Sequence, residues 1–397
     1  MENLDKIFKA YDIRGRYPNE VNEEIGYKIG WAVAKFLKAP DLIVGRDSRA
    51  SSENLAKVVI EGMRDRGVNV IDIDMVTTPM FYFSAVKWKL KGGVMTTASH
   101  NPPEYNGFKL IGDKAMPIGE NSGLNKIKNL IKKSKFKTKD RRGGIEKRNA
   151  LENYINHIID FAHINDIKPL KIAVDVTRST AEMVVPELFK YLPLKIVSKN
   201  ADLGVTFDGD GDRIVFFDEK GNKVHPDLIG ALLVHYYFKH AGKILCTEVS
   251  SRNLKEEIEE ANNILVVSKV GHTFMKEKME KQDIVFGCEP SGHYYLEANY
   301  NIESPFIALL KVLEILSRTK MPLSELIRPF QNYFREEIKI KKTTRSKVKE
   351  KTKEFSDWWY NIRASNTEPV IRLTIEARTK ELLEQKKKEI TSGPFFS

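Results

Sequence analysis

The hexapeptide Asp208-Gly209-Asp210-Gly211-Asp212-Arg213 places three carboxylates at alternate positions, separated by glycines that let the backbone curl. Oxygen donors in this array suit a hard divalent cation, and Mg²⁺ in particular where phosphate oxygens share the site. An EF-hand is the competing arrangement, with Asp208, Asp210, Asp212 and Glu219 at its positions 1, 3, 5 and 12. It fails because Arg213 stands where that loop needs a glycine, and because Leu203–Phe207 and Ile214–Phe217 read as flanking strands instead of helices. A plain acidic turn remains the bland alternative.

Three other stretches carry reactive or binding side chains. In Thr96-Thr97-Ala98-Ser99-His100-Asn101-Pro102-Pro103-Glu104-Tyr105-Asn106-Gly107-Phe108-Lys109, two consecutive prolines stiffen the turn that holds Ser99 and His100. Gly287-Cys288-Glu289-Pro290-Ser291-Gly292-His293 offers a carboxylate acceptor and a hydroxyl that suit vicinal hydroxyls. In Arg363-Ala364-Ser365-Asn366-Thr367-Glu368-Pro369, an arginine fork, two hydroxyls and an amide beside consecutive loop N–H groups form a phosphate cradle. Taken singly, each is also ordinary turn chemistry.

The elements that must position these loops follow a weak repeat. Leu42-Ile43-Val44, Lys171-Ile172-Ala173-Val174 and Lys243-Ile244-Leu245 are short apolar strands, each followed by a polar turn and a helical run. Each has a second strand candidate, at 68–73, 194–197 and 264–267, and a third that ends in one of the loops at 97–101, 207–213 and 288–293. Strands alternating with helical patterns imply βαβ units, whose ligands bind off the carboxyl ends of the strands. Between 194–197 and 203–207 only five residues remain, too few for the helix that 79–88 and 273–281 supply in the other units. Ser304-Pro305 reads as an N-cap and first residue of a helix reaching about Ser317. Beyond Pro322, a basic amphipathic run from Lys347, the stretch 358–362 and an alternating strand at 370–375 describe a smaller α+β unit.

Length and composition agree: 397 residues, 41% hydrophobic and 10% aromatic, describe a soluble chain of several domains. Cys246 and Cys288 make neither a disulfide framework nor a zinc spacing. The N-terminus has no signal-peptide core and no run is long enough to span a bilayer, so a cytoplasmic, membrane-free protein is expected. Residues 125–148 and 335–353 carry +9 and +6, more than the whole chain's +11. Without interleaved aromatics both read as solvated faces or linkers, not as a nucleic-acid surface, and 125–148 as the break between the first two units.

Together the four loops, with the opening Phe8-Lys9-Ala10-Tyr11-Asp12-Ile13-Arg14-Gly15, closely resemble the α-D-phosphohexomutase superfamily of phosphomannomutases and phosphoglucomutases. The resemblance implies three related α/β domains with mixed sheets and a smaller C-terminal α+β domain around a central cleft, here 1–145, 146–241, 242–328 and 329–397. It implies a phosphoryl group on Ser99, one Mg²⁺ held by Ser99, Asp208, Asp210 and Asp212, and Arg14 and Arg213 beside the phosphoryl. Lys109, with His100 as the alternative, would relay the hydroxyl proton. Tyr11, His272, Glu289, Ser291 and His293 would face the sugar, and Arg363, Ser365, Asn366, Thr367 and Arg372 the phosphate that is not reacting. The activity implied is interconversion of a hexose 6-phosphate and 1-phosphate, of mannose or glucose, activated by a hexose 1,6-bisphosphate, in a monomer or homodimer. A phosphoglucosamine mutase, a phosphoserine-dependent sugar phosphatase and a non-catalytic sugar-phosphate binder are the alternatives; Gly271-His272 resembles the mannose/glucose branch. Relative to the family the second and fourth domains are shortened, and Glu303-Ser304 stands where Asp-Gly is common.

Overall fold

Apolar runs bounded by turn residues become the strands of four sheets in the computed structural model, which describes residues 4–341, 350–364 and 370–392. The first sheet contains β1 (Ile13–Arg16), β2 (Asp41–Arg46), β3 (Asn69–Met75), β4 (Gly93–Thr96), β5 (Tyr105–Ile111) and β6 (Ile145–Lys147), in the order β1-β5-β4-β2-β3-β6. Leu42, Ile43 and Val44 at its centre are wholly buried, as a strand covered on both faces requires. The second sheet is built from β7 (Leu170–Asp175), β8 (Leu194–Ile196), β9 (Leu203–Phe207) and β10 (Ile214–Phe217), ordered β10-β9-β7-β8. The third has β11 (Lys243–Thr247), β12 (Ile264–Ser268), β13 (Ile284–Cys288), β14 (Tyr294–Leu296) and β15 (Ile302–Glu303), ordered β12-β11-β13-β14-β15. The fourth, antiparallel throughout, contains β16 (Phe334–Lys341), β17 (Lys351–Glu354), β18 (Trp358–Ala364) and β19 (Val370–Ala377), ordered β16-β19-β18-β17.

The weak repeat is a repeat of topology. In each of the first three sheets one strand (β2, β7, β11) pairs in parallel with the next strand on one side and the third on the other. A fourth strand (β5, β10, β14) then returns antiparallel to the third. All three chemically equipped loops are the connections from third to fourth strand. They therefore leave the carboxyl ends of β4, β9 and β13, where open α/β sheets bind ligands.

The short second unit makes its crossover without a helix because its strands are staggered. β8 pairs only with Leu170–Ile172 and β9 with residues 172–175, so the chain steps across β7 at one level and need not retrace its length. Val197 N donates to the Ile172 carbonyl at 3.0 Å and Asp202 N to the Lys171 carbonyl at 2.8 Å, pinning both ends of the step.

The basic stretches differ from expectation. Residues 125–148 are not a linker: the helix Asn125–Lys133 buries Ile127 and Ile131 in the core of the first unit. Trp31 Nε1 donates to the Lys137 carbonyl, Arg142 pairs with Glu61 and Asp65, and β6 adds to β3, so that a division after residue 145 falls inside a strand. Charge composition could not reveal this, because the anchors are a few apolar side chains, Ile127, Leu130 and Ile131, among many lysines. In the fourth unit, part of the basic run is the exposed edge strand β17, where lysines discourage further pairing.

The Ser304 hydroxyl caps the helix Pro305–Thr319 by accepting from Ile307 N at 3.3 Å. That helix is the hub of the interior. Phe306, Leu309, Leu310 and Leu313 are fully buried in a single hydrophobic cluster that also takes in residues of the first, second and third sheets, so the strand-end loops face one another on a common base.

Candidate active site

The serine loop and the aspartate loop touch. A Cβ on Gly209 would lie 2.7 Å from the Ser99 carbonyl oxygen, so the close approach demands glycine, and Gly211 takes a φ of +64°. Ser99 itself is left-handed, with φ +51°, and its N–H donates to Thr97 Oγ1 at 2.8 Å. Its Oγ stands 3.2 Å from Asp208 Oδ2 and 3.2 Å from His100 Nδ1. Arg14, on β1, donates to the Ala98 carbonyl at 3.2 Å and to Asn101 Oδ1 at 2.8 Å, with its guanidinium seated on buried Asp12 at 2.7 Å.

Lys109, projecting from β5, bridges Asp210 Oδ2 at 2.7 Å and Asp212 Oδ2 at 2.6 Å; all three side chains are buried. Burial opposes the lysine's charge, but the two carboxylates outweigh it and hold its pKa well above the ordinary value. Asp208 is pushed well up by burial and by the charges of Asp212 and Asp210. Asp212 is held well down: burial opposes this, and Lys109 and His293 overcome it.

The aspartate loop fits a divalent cation. One carboxylate oxygen from each of Asp208, Asp210 and Asp212 lies within 4.8 Å of the others. Asp210 Oδ1 is buried without a hydrogen-bond partner among the described residues, a costly state that a bound cation relieves, and Asp212 Oδ1 is met by His293 and Arg213 at 3.4 and 3.7 Å. The donors are all oxygens, the set that Mg²⁺ takes.

Above this base opens a cleft of about 240 Å³ lined from all four units. Tyr11 and Arg14 come from the first unit, and His100 opens onto it from the serine loop. The walls' enclosure, with the charges of Arg213 and Arg14, pushes the His100 pKa down. Arg213 Nε sits 3.7 Å from both Asp208 Oδ2 and Asp212 Oδ1. The third unit supplies His272, Glu289, Ser291 and His293. His293 links two loops, with Nε2 3.4 Å from Asp212 Oδ1 and Nδ1 2.8 Å from Ser291 Oγ. Glu289 is oriented by the Tyr295 hydroxyl, which donates to its Oε1 at 2.6 Å. His272 opens the helix His272–Gln282 and meets the Tyr11 ring edge-on, centroids 5.4 Å apart.

From the fourth unit come Arg363 on β18 and Arg372 on β19, directly opposite each other in register. Like charges so placed repel unless an anion lies between them. Glu337 pairs with Arg372, whereas Arg363 Nε is buried without a hydrogen-bond partner among the described residues. Ser365, Asn366 and Thr367 lie outside the described residues.

Several residues of the site went unread in the sequence. Thr78 Oγ1 donates to Asp210 Oδ2 at 2.6 Å, Asp12 seats Arg14, and Lys276 Nζ lies 3.1 Å from Glu303 Oε2 and 3.7 Å from the centre of the Tyr82 ring. For Lys276 a signal existed: it shares the buried face of its helix with Thr273, Met275 and Met279. Arg49 and Asp47, which support the serine loop, follow β2 in what reads as a plain polar turn.

Profiles of phosphoglucomutase/phosphomannomutase match the chain in three places: alpha/beta/alpha domain I over residues 5–160, alpha/beta/alpha domain III over 225–333 and the C-terminal domain over 330–392. A phosphomannomutase of Escherichia coli K12 is 32% identical over 436 aligned positions, covering 94% of each chain. The phosphohexose mutases of Xanthomonas campestris pv. campestris B100 are 31% identical, covering 97% of this chain and 98% of theirs. Among solved structures, a phosphoglucomutase/phosphomannomutase family protein from Burkholderia thailandensis superposes with a TM-score of 0.87 at 25% identity, over 97% of this chain and 96% of that one. An Aspergillus fumigatus N-acetylphosphoglucosamine mutase in complex with glucose 1,6-bisphosphate shares the fold with a TM-score of 0.60 at 13% identity, over 97% and 94%. The chain belongs to the phosphoglucomutase/phosphomannomutase family, within the α-D-phosphohexomutase superfamily. It is a phosphohexomutase, an intramolecular phosphotransferase. Among the described residues no helix is long and apolar enough to cross a membrane.

Proposed function

We propose that the chain interconverts the 6-phosphate and 1-phosphate of mannose, glucose or both, through phosphorylated Ser99 and a hexose 1,6-bisphosphate retained in the cleft. The contact of Ser99 Oγ with Asp208 at the base of a cleft walled by Arg14, Arg213, Arg363 and Arg372 carries this reading. In the forward half-reaction the bond from Ser99 Oγ to phosphorus breaks as the substrate's free hydroxyl oxygen bonds to phosphorus. The hydroxyl proton then needs an acceptor. Of the two relay candidates, Lys109 and His100, His100 stands beside Ser99 Oγ and is neutral, but its depressed pKa makes it a weak acceptor. Lys109, kept protonated by Asp210 and Asp212, is suited to balancing charge.

Asp208, Asp210, Asp212 and Ser99 would hold Mg²⁺, which supplies charge neutralisation at the transferring phosphoryl when bound. Arg14 and Arg213 supply part of the same neutralisation from the chain itself. Glu289, Ser291, His293, His272 and Tyr11 address the sugar, and Arg363 and Arg372, with 365–367, grip the distal phosphate. Because the substrate must bind in two orientations, that grip has to accept either phosphate. The glucose 1,6-bisphosphate complex of the Aspergillus enzyme supports a bisphosphate of this kind. The reading includes a cytoplasmic location and the four-domain division given above, with its first boundary moved beyond β6.

Intact-mass spectrometry after incubation with hexose 1,6-bisphosphate and Mg²⁺ tests it. A phosphorylated fraction is expected, absent from Ser99→Ala together with mutase activity in a coupled assay on mannose and glucose 1-phosphates. Full turnover by Ser99→Ala would overturn the phosphoserine route, and release of inorganic phosphate without isomerisation would make the enzyme a phosphatase.

A further inference from the structure

We infer that Arg49 is a positioning residue for phosphoryl transfer: seated on Asp47, its guanidinium clamps the backbone of the serine loop and holds Ser99 facing the aspartates. The inference rests on the proposed use of Ser99 as phosphoryl carrier. Arg49 Nη2 donates to the carbonyls of Ser99 and Asn101, both at 2.6 Å, and Nη1 to those of Pro102 at 2.8 Å and Tyr105 at 3.0 Å. Four carbonyls spread over seven residues thus converge on one planar cation. The same loop has few bonds of its own: Asn101 N to the Ala98 carbonyl, Tyr105 N to that of Pro102, and Ser99 N to Thr97 Oγ1.

Such a clamp answers a specific need. Ser99 is left-handed, a conformation that residues with a Cβ adopt at a cost and keep only when their surroundings impose it. The carbonyl of Ser99 is also the atom against which Gly209 of the aspartate loop packs. Fixing that carbonyl therefore sets the distance between the two loops as well as the direction of Oγ.

The clamp is anchored in rigid elements. Asp47 Oδ2 receives Arg49 Nε at 3.1 Å and Asp47 Oδ1 receives Arg49 N at 3.0 Å. Ser52, the first residue of the helix Ser52–Asp65, donates its hydroxyl to Asp47, and Asn106 Nδ2 on β5 donates to Ser52 Oγ at 2.9 Å. Arg49 does not line the cleft, so it acts through the backbone and not on substrate. A lysine could not reproduce it: an ammonium has no fork to span carbonyls on both sides.

The test compares Arg49→Lys and Arg49→Ala with the wild-type enzyme. Because misplacement of a reacting group by about 1 Å costs on the order of 10²-fold in rate, kcat and the rate of Ser99 phosphorylation by hexose 1,6-bisphosphate should each fall about 10²-fold in both variants. KM for hexose phosphate should change little, since no contact to substrate is lost. Backbone amide exchange should accelerate at Ser99, His100, Asn101, Glu104 and Tyr105 and stay unchanged in β2 and β4. Guanidinium ion should restore part of the kcat of Arg49→Ala, whereas methylammonium should not. Wild-type kcat and exchange in Arg49→Lys would overturn the clamp; so would a fall in kcat accompanied by faster exchange throughout the first sheet, the mark of a merely structural residue. Should Arg49→Ala fail to fold, Arg49→Lys and its exchange pattern decide. If the wild-type enzyme is neither a mutase nor phosphorylated on Ser99, the proposed function falls, while the exchange comparison still decides whether Arg49 clamps the loop.

Discussion

Asp210 illustrates how much one side chain in this site is asked to do. Its Oδ2 receives both the Thr78 hydroxyl and the Lys109 ammonium, while its Oδ1 is buried with no hydrogen-bond partner among the described residues. Holding the first oxygen in place leaves the second available to the cation proposed for this loop. Asp210→Asn removes the charge while keeping the shape, and leaves Lys109 with Asp212 as its remaining charged partner. Loss of a residue that merely orients a metal ligand costs about 10–100-fold in affinity, so loss of a ligand should weaken Mg²⁺ binding by at least about 10-fold. Calorimetric titration of the variant checks this, and an unchanged affinity would remove the loop from the metal site. The aspartates could be read as a cation loop from side-chain type and spacing, whereas Ser99 was singled out by the resemblance of its whole loop. Thr78 and Asp12 were not legible. Thr78 meets Asp210 across 132 positions of sequence, and Asp12 is informative only once the Arg14 guanidinium is seen to rest on it.

At the scale of elements, strand–turn–helix order and the loops after the third strands could be read directly, since apolar runs and glycine-proline punctuation signal them locally. Sheet order could not, because pairing is decided by which strands share a core. The strands β16 and β17 were missed for a related reason: charged residues interrupt them, so alternation of apolar residues is weak there. Between elements the informative contacts are polar. Lys276 on the helix His272–Gln282, Glu303 on β15 and Tyr82 on the helix Thr78–Lys87 form one buried group joining the first and third units behind the cleft. Burial lowers the Lys276 pKa while Glu303 raises it, so the lysine depends on its partner to stay charged. Breaking a buried pair from one side leaves an uncompensated charge and costs about 3–5 kcal/mol. Lys276→Met should therefore destabilise by about that amount, and adding Glu303→Gln should recover much of it. Thermal or denaturant unfolding of the three variants provides the check; equal losses in the single and double variants would mean that the pair is not coupled.

The whole molecule closes its cleft by seating the fourth sheet on the third unit, and the seam between them is charged. Asp227, at the start of the helix Pro226–Tyr237, accepts from Ser251 N at 2.6 Å. Glu376 on β19 accepts from Arg252 N at 2.8 Å and from Trp359 Nε1 at 2.7 Å. Arg335 on β16 stands 4.0 Å from each carboxylate, near enough to balance charge but too far to bond. Burial pushes the Asp227 pKa up to about 6 from an ordinary 3.8, against the smaller opposing effect of Arg335. Below about pH 4 both folded and unfolded chains carry this proton. Between about 4 and 6 the folded chain keeps it while the unfolded chain has lost it, so stability falls as pH rises through that window. A shift of about two pH units corresponds to about 3 kcal/mol. Asp227→Asn cannot titrate and retains an oxygen for Ser251 N, so it is spared that loss. Whatever its stability at pH 4.5, where about 1 kcal/mol of that loss has already occurred, the variant should gain on the wild-type protein by about 2 kcal/mol on going to pH 7.5, with the gain complete above the folded pKa. Unfolding midpoints of the two proteins measured in parallel across this range check the sign as well as the size. A constant difference would mean that Asp227 is already ionised in the folded protein at low pH, with Arg335 drawn in closer than 4.0 Å to hold it and the fourth sheet tied to the third by a true ion pair.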